Sequence, residues 1–87
     1  MMYLDKWTEV PVFKVEGKRF PLERGRLFKI KGHRGLFKVM QIYVENDNPE
    51  NVEIHAWWRD RKLFTGGRAL MRYVRPERIS RILKDVE

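Results

Sequence analysis

The chain has no cysteine, so neither a disulfide nor a thiolate metal site braces it. Serine occurs once, at Ser80, and histidine twice, at His33 and His55. Neither histidine has a nucleophile or a pair of carboxylates spaced beside it, which leaves acid–base and covalent catalysis without a constellation. A metal site on His33 and His55 would need further ligands at fixed spacing, and the sequence offers none. No catalytic residue, metal or cofactor is therefore expected, and the chain reads as a non-enzyme. Gly32–Gly35 is too short to cradle phosphates as a P-loop does, and Gly66-Gly67-Arg68 lacks the Lys-Ser/Thr continuation. No apolar run approaches membrane-spanning length, and Met1 to Trp7 lacks the apolar core of a signal peptide. With the missing cysteines, this predicts a soluble, cytoplasmic protein with no membrane partner.

What is present is apolar bulk and positive charge. Hydrophobic residues make up 43% and aromatics 13% of 87 residues, too much for a disordered chain. A domain of this length buries only about 60–65% of its unfolded surface, so a single domain with a thin core is expected. The formal net charge of +7 favours polyanions and also keeps a small domain soluble. The charge is segregated into blocks. Between Arg24 and Val44 stand Arg24, Arg26, Lys29, Lys31, Arg34 and Lys38 with no acid, while Glu45, Asp47, Glu50 and Glu53 cluster in the next connection. From Arg61 to Pro76 the chain is again acid-free, with Arg61, Lys62, Arg68, Arg72 and Arg75.

The pattern of apolar residues is that of strands. Val10–Val15 is short and β-branched, Pro11 confines it to an edge, and Glu16-Gly17 predicts a small hairpin or lead-in arm. Arg26–Lys31 alternates, with Phe28 and Ile30 on one face and Leu27, Lys29 and Lys31 on the other. After the Gly32–Gly35 turn, Leu36–Val44 is β-like, yet no single alternation unites Phe37, Val39, Ile42 and Val44. A bulge near Met40-Gln41 restores the phase, as a long strand bent through a small barrel requires. Asn46–Asn51 reads as a loop. Val52–Trp58 then places Val52, Ile54, Ala56 and Trp58 inside and Glu53, His55 and Trp57 outside, with His55 solvated. A fourth strand spans Arg68–Val74, with either Leu70 and Val74 or Met71 and Tyr73 inward. Ile79, Ile82, Leu83 and Val86 have the spacing of a helix face, and Pro76 suits a helix start, whereas Val74–Ile79 also fits a 3-10 turn followed by a short strand. The turn and strand are favoured.

Short strands, a Gly-bounded turn, a bent second strand and a Pro-containing turn before the last strand together resemble an SH3-like small barrel of the KOW or Tudor type. The resemblance covers about residues 25–83, and residues 1–24 are then an N-terminal arm or hairpin of the same domain. Gly25–Val39, with glycines flanking a hydrophobic strand and its turn, is similar to the KOW pattern. The resemblance implies a mainly β, five-stranded barrel with a 3-10 turn or short helix near the C-terminus. Members of KOW type bind RNA, ribosomal protein or RNA polymerase, and Tudor members hold methylated side chains in an aromatic cage. Tyr43, Trp57, Phe64 and Tyr73 are the candidates for a cage, but the basic first turn lacks the acids that assist a methyl-ammonium. His55–Trp58 and Val74–Ile79 also resemble stretches of short uncharacterised proteins of actinobacterial tailed phages, which would put the chain in a host cytoplasm and brings no assigned activity.

A basic face is the remaining candidate site. Lys29, Lys31 and Lys38 are expected on one outer face, His33 and Arg34 at the hairpin tip, and Arg59, Arg61, Lys62 and Arg68 nearby from the connection after the third strand. Trp57 beside those charges would stack on a base. The expected partner is nucleic acid, RNA or single-stranded DNA before a specific duplex site, held by phosphate contacts. The competing expectation is a protein-interaction module facing an acidic host protein, or a virion assembly component. The sequence fixes no oligomeric state.

Overall fold

The computed structural model describes residues 6–58 and 71–87. In chain order they form β1 (Trp7–Glu9), β2 (Val12–Phe13), β3 (Leu22–Glu23), β4 (Arg26–Ile30), β5 (Phe37–Glu45), β6 (Asn48–Trp58), β7 (Met71–Val74), a 3-10 turn (Pro76–Arg78) and β8 (Ile79–Val86). The architecture is mainly β. The main sheet runs β7-β6-β5-β4-β8 with antiparallel pairing throughout, β1 pairs with β5, and β2 and β3 form a separate two-stranded sheet. The hydrogen-bonded path ends at β7 on one side and β8 on the other, so the sheet is not closed into a continuous barrel. Among the described residues no helix is long and apolar enough to cross a membrane.

The long strand β5 organises the sheet because it changes partner along its length. Its first residues pair with β4, as Leu27 opposite Lys38 and Phe28 opposite Phe37. Its last residues pair with β1, from Tyr43 opposite Glu9 to Glu45 opposite Trp7. The switch falls at a register shift between Val39 and Gln41, where Met40-Gln41 inserts one residue against β6. The extra residue turns Ile42 back to the face of Phe37 and Val39, and all three are buried. The bulge expected near Met40-Gln41 is thus where the alternation breaks.

The core gathers the inward row of each strand: Phe28 and Ile30, Phe37, Val39 and Ile42, Val52, Ile54 and Ala56, Val74, and Ile79 with Ile82. Val74 settles the facing of β7, and Tyr73 points outward, 69% exposed. From the N-terminal segment, Val15 and the fully buried Leu22 belong to the same core, with Val10, Phe13 and Phe20 packed against it. Gly25 joins this segment to the C-terminus. Its N–H donates to the Val39 carbonyl (2.8 Å), and its own carbonyl accepts from Glu87 N–H (2.8 Å). It has φ +89, and a Cβ there would run into the Glu87 carbonyl oxygen.

Two sequence expectations are corrected, the Asn46–Asn51 loop and the facing of Lys31, while the favoured 3-10 turn and strand at the C-terminus are present. Asn46–Asn51 is not a loop, since the turn is confined to Asn46-Asp47 and β6 begins at Asn48. Glu45 faces Asn48 while Val44 faces Val52, so Pro49, Glu50 and Asn51 lie in a wide irregularity where a missing proline N–H breaks no ladder bond. The helix-like spacing of Ile79 and Ile82 arises from a bulge in β8: Ile30 faces Ile79 and Phe28 faces Ile82, so Lys29 alone spans Ser80 and Arg81. Lys31 lies past the end of β4, in the turn, and does not continue its alternation.

Candidate nucleic-acid interface

Outward positions of adjacent strands line up across the main sheet. Lys29 of β4 faces Arg81 of β8, and Lys38 of β5 lies between Leu27 of β4 and Trp57 of β6. Directly opposed residues have Cβ atoms about 4.5–5.5 Å apart, and Lys38 is diagonal to Lys29, so Arg81, Lys29, Lys38 and Trp57 make one contiguous strip. Lys29 and Arg81 are exposed, Lys38 is half-buried, and Trp57 is 38% exposed. None of Lys29, Arg34, Lys38 and Arg81 forms an ion pair with another described residue, because the carboxylate pairs there are Glu23–Arg26 and Glu53–His55. The strip therefore carries positive charge that no described acid neutralises.

Arg26 is the exception within the basic run. Only 8% exposed, it donates from Nε to the Pro21 carbonyl (3.1 Å), from Nη1 to the Lys84 carbonyl (2.6 Å) and from Nη2 to Glu23 Oε2 (2.7 Å). Its guanidinium also lies over the Phe20 ring, 5.6 Å from the centroid. These contacts clasp the N-terminal segment to β8.

The other expected site residues part company. Arg34 is exposed at the turn, whose glycines Gly32 and Gly35 both have positive φ, and its carbonyl accepts from Trp58 Nε1 (2.8 Å). Trp58 stacks on Phe37 and Phe37 on Phe28, so the tip is anchored to the core. His33 packs edge-on to Phe37 and lines a recess toward Tyr73 and the 3-10 turn. Lys31 lines a different groove, between the β2–β3 segment and Pro49, Glu50 and Glu77, which none of Lys29, His33, Arg34 and Lys38 lines. The structure therefore unites Lys29, Lys38 and Trp57 and separates Lys31 from them. Arg59, Arg61, Lys62 and Arg68 lie outside the described residues.

Sequence reasoning missed Arg81 because the bulge in β8 hides which residues face outward. It also misjudged His55, which is buried. Its Nε2 is hydrogen-bonded to Glu53 Oε1 (2.8 Å). The ring lies between Tyr43 (centroids 4.8 Å, tilted 52°) and Tyr73 (4.3 Å, 26°). Tyr73 faces His55 directly across β6 and β7, and Glu53 faces Tyr43 across β5 and β6. A strand histidine opposite one tyrosine with another on the next strand is a signal that sequence reading could find only after fixing the register. No group of three His, Cys, Asp or Glu among the described residues has the arrangement to hold a metal ion. The chain matches no family model, no curated protein and no solved structure.

Proposed function

We propose that the chain is an SH3-like small barrel acting as a non-enzymatic module that binds single-stranded nucleic acid, RNA or DNA, through its phosphates. The barrel reading is supported by the path in which β8 returns to β4, by the bent β5, and by the 3-10 turn before the last strand. The binding reading rests on one observation: Arg81, Lys29 and Lys38 share an outer face, and no described carboxylate pairs with them. Phosphate contacts of that kind give affinity without sequence readout. With Arg34 at the neighbouring tip, about four phosphates are neutralised, which sets a slope of log affinity against log salt near −3 on a single strand. Titration of labelled oligonucleotides over a salt series measures it. Replacing Lys29, Lys38 and Arg81 by Glu flattens the slope toward about −1. No binding at low salt, or a slope unmoved by the triple reversal, refutes the proposal.

A second reading has its own observation. The groove holding Lys31, about 720 Å3, mixes Phe13, Val15 and Pro49 with Lys14, Lys18, Glu50 and Glu77, a lining suited to an extended peptide of a protein partner. A stoichiometric protein retained from nuclease-treated lysate, and lost on reversing the exposed groove residues with Lys14→Glu and Glu50→Lys, favours that reading over the first.

A further inference from the structure

We propose that Tyr73, His33, Arg75 and Arg78 form a subsite for one unpaired nucleotide, its base stacked on Tyr73 and its phosphate held by Arg75 and Arg78. The proposal rests on the nucleic-acid reading and names where a base, not only a phosphate, is recognised. The recess that these residues line with Ile30 and Glu77 measures about 230 Å3. Both of its aromatic walls are held from behind. His33 packs edge-on to the buried Phe37, with ring centroids 6.2 Å apart, and Tyr73 stacks on His55, whose position is fixed by Glu53 and Tyr43.

Tyr73 is the most exposed large hydrophobic residue among those described, although His55 covers one of its faces at 4.3 Å. An aromatic ring fixed on one side and open on the other is what base stacking requires, because ordering a loose ring would offset part of the gain. A base laid on Tyr73 extends the column already formed by Tyr43, His55 and Tyr73. The cations complete the site: neither Arg75 nor Arg78 forms an ion pair with a described residue, and the 3-10 turn between them is closed by Arg78 N–H donating to the Arg75 carbonyl (3.0 Å). Both arginines line the recess, with Glu77 as its acid. Trp57, the stacking residue expected from sequence, is less exposed at 38% and is not part of this recess.

The test compares two labelled chains of equal length and charge, oligothymidylate and the corresponding abasic deoxyribose-phosphate chain, on the full-length protein. The wild type should prefer the thymidylate chain by about 10- to 100-fold, the scale of one stacked base. Tyr73→Ala should remove the preference with the salt slope unchanged, and Tyr73→Phe should keep it. Replacing Arg75 and Arg78 by Ala should weaken both chains and lower the slope by about 0.7, the share of the one phosphate they hold. Equal binding of the two chains by wild type, or a preference that survives Tyr73→Ala and disappears in Trp57→Ala, overturns the subsite and leaves phosphate binding standing. Binding of neither chain at low salt overturns both.

Discussion

Replacing Arg26 by Ala tests the claim that one member of the basic run serves the fold and not the ligand. The side chain is 8% exposed and its two strongest carbonyl contacts, to Pro21 and Lys84, are charge-assisted. Hydrogen bonds to a charged group contribute about 1.5–3 kcal/mol each. The pairing with Glu23 adds little, about 0–1 kcal/mol, because that carboxylate side chain is 38% exposed and screened. The expected loss is therefore about 3–6 kcal/mol. A domain of this length has about 4–13 kcal/mol in total, so the loss is between about a quarter of it and all of it. Each kcal/mol corresponds to about 4–8 °C of melting temperature in this size class, which sets a drop of at least about 12 °C. Urea denaturation followed by circular dichroism measures the first quantity and thermal melting the second. Arg26→Lys should recover little, since one ammonium does not span carbonyls contributed by Pro21 and Lys84 together with Glu23. In the folded fraction, oligonucleotide binding should keep its salt slope, whereas a phosphate-contacting arginine would take about 0.7 from it. A loss below about 1 kcal/mol, or a reduced slope, refutes the reasoning.

Three further substitutions probe how the ends of the chain are tied in. Gly25→Ala forces a Cβ against the Glu87 carbonyl at φ +89 and should cost about 2–4 kcal/mol in urea titrations, while Gly17→Ala, at φ +77 with open space around it, should cost about 1. Leu22→Ala should cost about 2–5 kcal/mol because Leu22 is fully buried in the common core; a cost under about 1 kcal/mol would show that residues 1–24 are an appended arm.

The parts of the fold legible in the sequence are those where alternation and turn chemistry act alone. Gly32 and Gly35 bracket the β4–β5 turn as their spacing predicts, and the phase slip between Val39 and Ile42 marks the bulge. Elsewhere the same signals are degenerate. A three-residue step between Ile79 and Ile82 describes a helix face and a bulged strand equally well, and only pairing with Phe28 and Ile30 decides. Alternation also assumes that the outer face meets water. Leu27 and His55 break that assumption, since both are buried at positions that alternation turns outward. Lys31 fails for a simpler reason, since β4 ends one residue before it.

The candidate site shows the same division between composition and register. The acid-free run from Arg24 to Val44 marks the region where positive charge is concentrated, but membership of that run does not decide which charges act together. Arg26 turns inward to carbonyls, Lys31 passes to a groove shared with Glu50 and Glu77, and Arg81, far along the chain, joins Lys29 because β8 pairs with β4. The bulge at Ser80-Arg81 is what makes this work: by inserting one residue it keeps Ile79 and Ile82 both in the core while presenting Arg81 opposite Lys29 on the outside. A strand without the extra residue would have to give up one of those two inward contacts or turn the arginine away from the strip. Positive charge at this face is thus a consequence of strand register, and the irregularities in β5 and β8 set the surface as much as they set the core.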